Sequence, residues 1–361
     1  MYTAALRTEG GVWGKMLRAG RFESALLIAS AVALSALAAG GLSGGVHPRG
    51  AQAQPANAGA QTSAPSPTDP DAIINAAGQG NVNAVTSLLA QGANVNATDA
   101  NGDTPLMAAA TAGSLDVAKL LLAHGAAVNA KDNIGWTALL YDASQGTRDV
   151  AKLLLDNGAD INAKNDLGQT ALMTTAVGTP HADIATLLLA RGAAVDARDN
   201  GGETALMYAA ESGVDEVVGL LLDHGAEING KSASGETPLM YAAEDPSPKT
   251  VTLLLGRGAN VTAKDNDGWT ALMWAFEARS VECAGVLLDH GADANAASND
   301  GWTPLMNAVM YVGTADAVNL VLAHGADINA KAHTGDTALS IAEKSGRKDT
   351  VALLKAHGAK D

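Results

Sequence analysis

The sequence has few of the residues on which most small catalytic or disulfide-bonded domains depend. Its single cysteine, Cys283, leaves no second thiol for an intrachain disulfide. The chain contains no Gly-rich phosphate loop, no nucleophile elbow, and no Cys, His or carboxylate grouping with ligand spacing. These absences give no support for an enzyme. Aromatic residues make up only 3% of the chain, so the places where they occur are informative.

A five-residue motif, Gly-x-Thr-(Ala/Pro)-Leu, recurs at intervals of 33 or 34 residues. A fixed period of this length is typical of an array of stacked structural units. The motif begins at Gly102, Gly135, Gly168, Gly202, Gly235, Gly268, Gly301 and Gly335.

The residues of a single copy of the repeat predict its local structure. Thr104 is expected to cap a short Ala-rich helix, with Pro105 in the first helical position. A second helix is expected to open at Asp116, whose carboxylate favours the positive helix end, and to finish at Gly125 in the left-handed conformation. Neither helix can bury its apolar face alone, so neighbouring copies must stack.

The pattern Thr-Pro-Leu-x-x-Ala-Ala, followed by Leu-Leu-x-x-Gly-Ala-x-x-Asn, resembles the ankyrin repeat over about four fifths of the chain. The resemblance implies an all-α solenoid of about nine helix-turn-helix repeats joined by short β-hairpin-like turns. It also implies a monomeric, non-enzymatic module without cofactors or metal that binds a protein partner on its concave face. We assign the array to residues 71–361, with an N-terminal capping repeat at 71–101 and a C-terminal one at 335–361.

The N-terminal segment differs from the repeats. Four basic residues precede an uncharged Ala- and Leu-rich run over 24–42, and Ala51-Gln52-Ala53 gives a small-x-small cleavage pattern. We interpret residues 1–53 as a secretory signal peptide of an exported, bacterial protein, periplasmic or secreted. An uncleaved inner-membrane anchor over 24–46, supporting an envelope scaffold, is the alternative. Residues 54–70, rich in Ala, Pro, Ser and Gln, are predicted to be a flexible linker.

The formal net charge of −15 opposes binding to nucleic acid or to anionic membranes. Without residues 1–53 the chain has 18 basic and 36 acidic residues, a net charge of −18. A basic protein partner is compatible with this balance. Many of the acids have a structural explanation, because one falls at the start of the second helix in most repeats.

Two residue types recur at fixed positions and could suggest metal binding. Five histidines precede the Gly-Ala of the second helix, and six methionines follow the Thr-(Ala/Pro)-Leu of the first. Equivalent positions in stacked repeats lie about 10 Å apart, so neither series can converge on one ion. We expect the histidines to bond helix-end carbonyls. The ankyrin resemblance commonly places His where these methionines lie, so we expect packing and the Thr cap alone to hold this corner.

Two isolated residues have alternative explanations. Cys283 replaces a valine of other repeats and is expected to be a buried apolar side chain. Asp142 occupies a position that is Ala in most repeats, where a charge needs a partner. A local partner such as Arg148 explains it, and contact with a ligand is the alternative.

The aromatic residues are the strongest functional signal, and they fall at two positions of the repeat. The hairpin position, between the turn Gly and the capping Thr, holds Trp136, Trp269 and Trp302. The helix position, four residues after the same Thr, holds Tyr141, Tyr208, Tyr241 and Trp274. Tyr311 lies further along the repeat of Trp302, where one residue is added. In ankyrin-like proteins both positions lie towards the partner, and Trp and Tyr dominate binding hot spots. We therefore predict that these eight residues bind the partner; packing between repeats is the alternative.

Overall fold

The computed structural model describes residues 69–360, and every regular element in that range is a helix. The predicted signal peptide, and the predicted linker up to residue 68, lie outside the described residues. Within residues 69–360 no helix is long and apolar enough to cross a membrane. The described residues fall into two compact units, 69–166 and 167–360.

The unit of residues 69–166 contains three successive helix pairs. In each pair a first helix is followed by a turn and a nine-residue second helix. The helices are α1 (Pro70–Gly78), α2 (Val82–Ala90), α3 (Pro105–Thr111), α4 (Leu115–Ala123), α5 (Ala138–Gln145) and α6 (Arg148–Asp156).

The unit of residues 167–360 continues the same alternation, with first helices of four to seven residues. Its helices are α7 (Ala171–Thr174), α8 (Ala182–Ala190), α9 (Ala205–Glu211), α10 (Asp215–Asp223), α11 (Pro238–Ala242), α12 (Pro248–Gly256), α13 (Ala271–Glu277), α14 (Val281–Asp289), α15 (Pro304–Asn307), α16 (Ala315–Ala323), α17 (Ala338–Lys344) and α18 (Lys348–Ala356). A π-helical turn, Ala308–Val312, follows α15 directly.

The capping threonine begins the first helix as predicted. Thr104 Oγ1 accepts a hydrogen bond from the backbone N–H of Met107 at 3.3 Å, and Thr204 does the same with Met207 at 3.4 Å. The expectation that packing and the Thr cap alone hold this corner is wrong. The methionine Sδ accepts the N–H of the capping threonine at 3.3–3.4 Å in four repeats, at Met107, Met173, Met207 and Met240. The thioether is a weak acceptor, but here it serves a buried donor that would otherwise lose its partner.

The second helices begin and end as the sequence predicts. An acidic residue lies in the first turn of most of them, for example Asp116 in α4 and Asp149 in α6. Gly125, after α4, has φ 85°, the left-handed conformation that ends a helix. All five repeated histidines bond the carbonyl four residues earlier through Nδ1, at 2.8–2.9 Å: His124, His224, His290, His324 and His357. This confirms their role at helix ends.

Neighbouring repeats within each unit are joined through their connecting turns. The asparagine of Gly-Ala-x-x-Asn forms a bridge: Asn96 accepts from the N–H of Ala127 at 2.8 Å and donates to the carbonyl of Gly125 at 3.2 Å. Seven of the hairpin-like turns close on themselves, as Asp265 N–H does with the carbonyl of Trp269 at 2.9 Å. The turn also bonds its neighbour, since Asn299 N–H donates to the carbonyl of Asp267 at 2.9 Å. The hairpins therefore form a hydrogen-bonded row alongside the first helices.

Candidate functional site

Aromatic side chains at the helix position are fixed by carboxylates of the hairpins. Tyr141 Oη donates to Oδ2 of Asp132 at 2.7 Å, and Tyr208 Oη donates to Oδ2 of Asp199 at 2.7 Å. The indole Nε1 of Trp274 donates to Oδ2 of Asp265 at 3.1 Å. In all three cases the acid lies nine residues before the ring.

The repeat of Tyr241 lacks that acid, and its phenol bonds a different carboxylate. Ser232 stands where Asp132, Asp199 and Asp265 stand in other repeats. Tyr241 instead donates to Oε1 of Glu203, at the hairpin position of the preceding repeat, at 2.9 Å. A buried phenol requires an acceptor, and the neighbouring repeat supplies it.

Three of the eight predicted partner-binding residues are buried. Trp136 is 3% exposed, Tyr141 is 5% exposed and Tyr241 is 1% exposed. For these three residues burial favours the alternative, packing between repeats, over partner binding. The ring centroids of Trp136 and Tyr141 lie 5.0 Å apart, and both side chains pack within the unit of residues 69–166. They stabilise the array and offer no contact area to a partner.

The partly exposed aromatic residues are concentrated in the unit of residues 167–360. Tyr208, Trp269, Trp274, Trp302 and Tyr311 are all half-buried. Three of them form a contiguous group, which we call the aromatic cluster: Trp269, Trp274 and Tyr311. The centroid of Trp269 lies 4.8 Å from that of Trp274 and 6.4 Å from that of Tyr311, with interplanar angles of 43° and 60°.

Asp265 bonds two members of the aromatic cluster. Its Oδ1 accepts the backbone N–H of Trp269 at 2.8 Å and that of Asp267 at 2.9 Å, while Oδ2 accepts the indole N–H of Trp274. Burial raises the pKa of Asp265, and these three hydrogen bonds oppose that rise. One carboxylate thereby fixes the hairpin backbone and the helix side chain together.

Tyr311 reaches the cluster because of the extra residue in its repeat. The insertion is accommodated as the π-helical turn Ala308–Val312, which ends at Gly313 with φ 70°. A π turn changes the direction in which its side chains point, compared with an α-helical turn. It packs against α13, the helix of Trp274, and against α17 of the following repeat.

Arg347 holds this π turn from the following helix pair. Its guanidinium donates to the carbonyl of Met310 at 2.9 Å and to that of Val312 at 3.1 Å, the two carbonyls on either side of Tyr311. Thr350 Oγ1 donates to the carbonyl of Gly313 at 2.8 Å. Sequence reasoning missed Arg347; its only signal was a cation 36 positions after Tyr311, beyond any local motif.

Asn307 is a second residue that sequence reasoning missed. It occupies the helix position of its repeat, where Ser298 replaces the hairpin acid. The side chain is fully buried, and within the described residues neither amide atom has a hydrogen-bond partner. Asn307 immediately precedes the π turn. Its signal was an amide at a position that is otherwise mostly aromatic or apolar.

Acidic side chains lie on the same hairpins and helix as the partly exposed aromatic residues. Asp267 and Asp300 are exposed in two successive hairpins, and Glu277 is half-buried at the end of α13. Burial and the nearby charge of Glu277 raise the pKa of Tyr311 to about 12, so the ring is a neutral phenol at ordinary pH. Glu236, in the hairpin before that of Asp267, is 5% exposed and adds no exposed charge.

The other candidate residues have local explanations. Asp142 is fully buried, and its Oδ1 accepts the backbone N–H of Thr147 at 3.1 Å, so the inter-helix loop contributes the partner. Cys283 is buried, its Sγ donates to the carbonyl of Asp245 at 3.2 Å, and burial raises its pKa. Residues 69–360 contain no group of three or more His, Cys, Asp or Glu that could hold a metal ion.

A comparison with protein families gives a match over most of the chain. A family model described as ankyrin repeats (3 copies) matches residues 73–165, 160–232, 227–298 and 292–361. The resemblance inferred from the repeated motif is confirmed. No curated protein matches the sequence.

Proposed function

Since this chain belongs to the ankyrin-repeat family, we propose that it binds a protein partner through Trp269, Trp274, Trp302 and Tyr311, on the face that the resemblance predicts to be concave. Ankyrin repeats generally mediate protein–protein interaction, and proteins built from them are typically non-enzymatic. The observation that carries the proposal is the aromatic cluster, three half-buried rings in contact beside a row of hairpins.

The exposure of these rings favours binding over a purely structural role. Tyr141 and Tyr241 show that a ring at the same helix position is buried when it serves only to pack the repeats. Trp269, at the hairpin position, stays half-exposed although Trp136 at the equivalent position is buried. Large rigid rings at a partly exposed surface supply contact area at little cost in side-chain entropy.

The charge around the cluster favours a basic partner. The chain carries a net charge of −15, and Asp267 and Asp300 are exposed in the hairpins next to the rings. Such a border accelerates association with a positive partner, and added salt slows it. A nucleic acid or an anionic membrane would be repelled by the same charges.

A comparative capture experiment tests this function. The full-length chain is immobilised, and proteins retained from the native extract are quantified for the wild type, for the double variant Trp269→Ala/Trp302→Ala, and for Ile134→Ala. Ile134 is a 44%-exposed hairpin residue in the other unit and serves as the control. A partner retained by the wild type and the control should lose on the order of 2 kcal/mol of binding free energy in the double variant.

The stability of the double variant must be measured alongside. Because Trp269 contacts two other rings, we expect its loss to lower the free energy of unfolding by about 1 kcal/mol. Equal capture by all three proteins, with a large loss of stability in the double variant, would show that these tryptophans are structural.

We also propose that the repeats are exported, on the evidence of residues 1–53 alone. The order of basic residues, an apolar run and Ala51-Gln52-Ala53 supports a cleaved signal peptide and a location in the periplasm or outside the cell. N-terminal sequencing of the protein from its native source should find a chain that begins near Gln54. A chain beginning at Met1 in the membrane fraction would instead support the anchored scaffold.

A further inference from the structure

The aromatic cluster has a geometry that suits a positive charge. Trp269 contacts both other rings, and the planes of Trp269 and Tyr311 are inclined by 60° at a centroid distance of 6.4 Å. All three rings are half-buried, so part of each ring remains accessible to solvent. A cation is attracted to ring faces within about 6 Å of a centroid, most strongly for Trp.

The rings are fixed before a ligand arrives. Asp265 bonds the backbone of Trp269 and the indole of Trp274, and Arg347 bonds the carbonyls on either side of Tyr311. Preorganised rings lose little entropy when a ligand binds. The positive charge of Arg347 is directed at backbone carbonyls of the π turn, which partly offset it.

The electrostatic surroundings favour a cation over a neutral apolar group. Asp265 bonds two members of the cluster, Glu277 ends the helix that carries Trp274, and Asp267 and Asp300 are exposed in the adjoining hairpins. An apolar ligand would gain nothing from these four carboxylates. A guanidinium or ammonium group gains attraction from them and from the ring faces together.

We propose that the aromatic cluster of Trp269, Trp274 and Tyr311 takes one arginine or lysine side chain from a basic segment of the protein partner. This inference rests on the proposed function and adds the chemistry of the group that is recognised. Arg347, which belongs to the last helix pair, acts as a positioning residue because it holds Tyr311 against Trp269.

A pair of peptides tests the charge directly. Binding of Ac-(Gly-Arg)4-Gly-NH2 to the full-length chain is measured by calorimetry, and compared with the same peptide in which citrulline replaces arginine. Citrulline has nearly the shape of arginine but no charge. The arginine peptide should bind more tightly, and its affinity should fall as salt is added.

Substitutions in the cluster separate ring recognition from general attraction to an acidic protein. Trp269→Leu and Tyr311→Leu should each weaken the arginine peptide by roughly threefold to thirtyfold and leave the citrulline peptide unchanged. Tyr311→Phe keeps the ring and should keep the affinity, while Ile134→Ala should behave as the wild type. Arg347→Ala should weaken the arginine peptide in the same direction as Tyr311→Leu.

A measurement on the wild type keeps the test valid if a variant fails to fold. In nitrogen–proton spectra, the indole signals of Trp269 and Trp274 should shift on titration with the arginine peptide, and that of buried Trp136 should not. An unchanged arginine-peptide affinity in both leucine variants, or equal loss for both peptides, would overturn the proposal. If the natural partner is lost in the tryptophan variants but the peptides are not distinguished, protein binding stands and the cation assignment fails.

Discussion

The indole Nε1 of Trp274 donates a 3.1 Å hydrogen bond to Oδ2 of Asp265, while Oδ1 of the same carboxylate accepts the backbone N–H of Trp269. Two aromatic residues of the candidate surface are therefore held by one acid. Tyr141 with Asp132, and Tyr208 with Asp199, show the same nine-residue separation. The aromatic residue and the acid form a structural unit that a single repeat contains in full.

The carboxyl group of Asp103 predicts a dependence of stability on pH in the unit of residues 69–166. Its pKa is raised to about 6, first by burial and then by the charge of Asp99, with Asp132 adding to the effect. The folded chain thus binds this proton more tightly than the unfolded chain. As pH rises from about 4 to about 6, the free energy of unfolding should fall, and the loss should persist above that range.

Asp103→Asn should remove this contribution. Tyr141 Oη lies 3.1 Å from Oδ1 of Asp103 and gives its hydrogen to Asp132, so the amide N–H of the asparagine can donate to this phenol oxygen. Urea midpoints of the variant and the wild type, measured at about pH 4 and about pH 7.5, should show a variant that is relatively more stable at the higher pH. Midpoints that change in parallel for the two proteins would contradict the assignment.

Asn307 predicts a stabilising substitution. Its amide is fully buried without a hydrogen-bond partner among the described residues, an arrangement that costs roughly 1–3 kcal/mol. Asn307→Leu, of similar size, should raise the free energy of unfolding by about 1 kcal/mol. Asn295→Leu is the matched control and should lower it, because Asn295 bridges to Gly325 and Asp327. A loss of stability in both variants would show that the Asn307 amide is satisfied.

Backbone strain at Arg279 predicts a second substitution that stabilises the protein. With φ 63°, it is the one non-glycine residue of the described chain in the left-handed region, at a position where Gly113 and Gly346 stand in other repeats. Arg279→Gly should raise the free energy of unfolding by up to about 1 kcal/mol. Gly346→Ala, where open space surrounds the added carbon, should lower it by a similar amount. Thermal denaturation of the two variants checks the direction of both changes in stability. An unchanged stability in both variants would show that the turn adjusts its backbone without cost.

The hydrogen bond from the threonine N–H to the methionine Sδ predicts that replacing two methionines of the same repeat position lowers the stability by different amounts. Met207 accepts the N–H of Thr204 through Sδ at 3.4 Å, whereas the described helix of Met273 has no such bond to Thr270. Both side chains are fully buried. Met207→Leu should therefore destabilise the protein by about 0.5–1 kcal/mol more than Met273→Leu in urea denaturation. Equal costs would mean that these methionines act by packing alone.

Most of the fold could be predicted from the sequence because its determinants are local. A capping threonine, an acid in the first turn and a glycine after the last turn act within a few residues, and Thr104, Asp116 and Gly125 do what their positions predict. Repetition made the inference secure, since the same local signals recur with a fixed period. The helix-end role of the five histidines followed from the same reasoning.

The exposure of each aromatic residue was decided only by tertiary structure. Tyr208 and Tyr241 occupy one position in successive repeats, yet Tyr208 is half-buried and Tyr241 is closed off, bonded to Glu203 of the preceding repeat. Burial of a ring depends on the side chains of the neighbouring repeat, about 33 residues away. The motif within one repeat does not show which side chains these are.

The aromatic cluster depends on contacts that are still more distant. The sequence showed one extra residue before Ala315, but a loop of one more residue and a π turn have the same sequence length. Packing of the turn between α13 and α17, and the bonds from Arg347 to Met310 and Val312, select the π turn and bring Tyr311 to Trp269. The sequence by itself determined the repeat and its helices, because caps and turns are local; the tertiary structure decided which rings face solvent, because that depends on neighbours one repeat away.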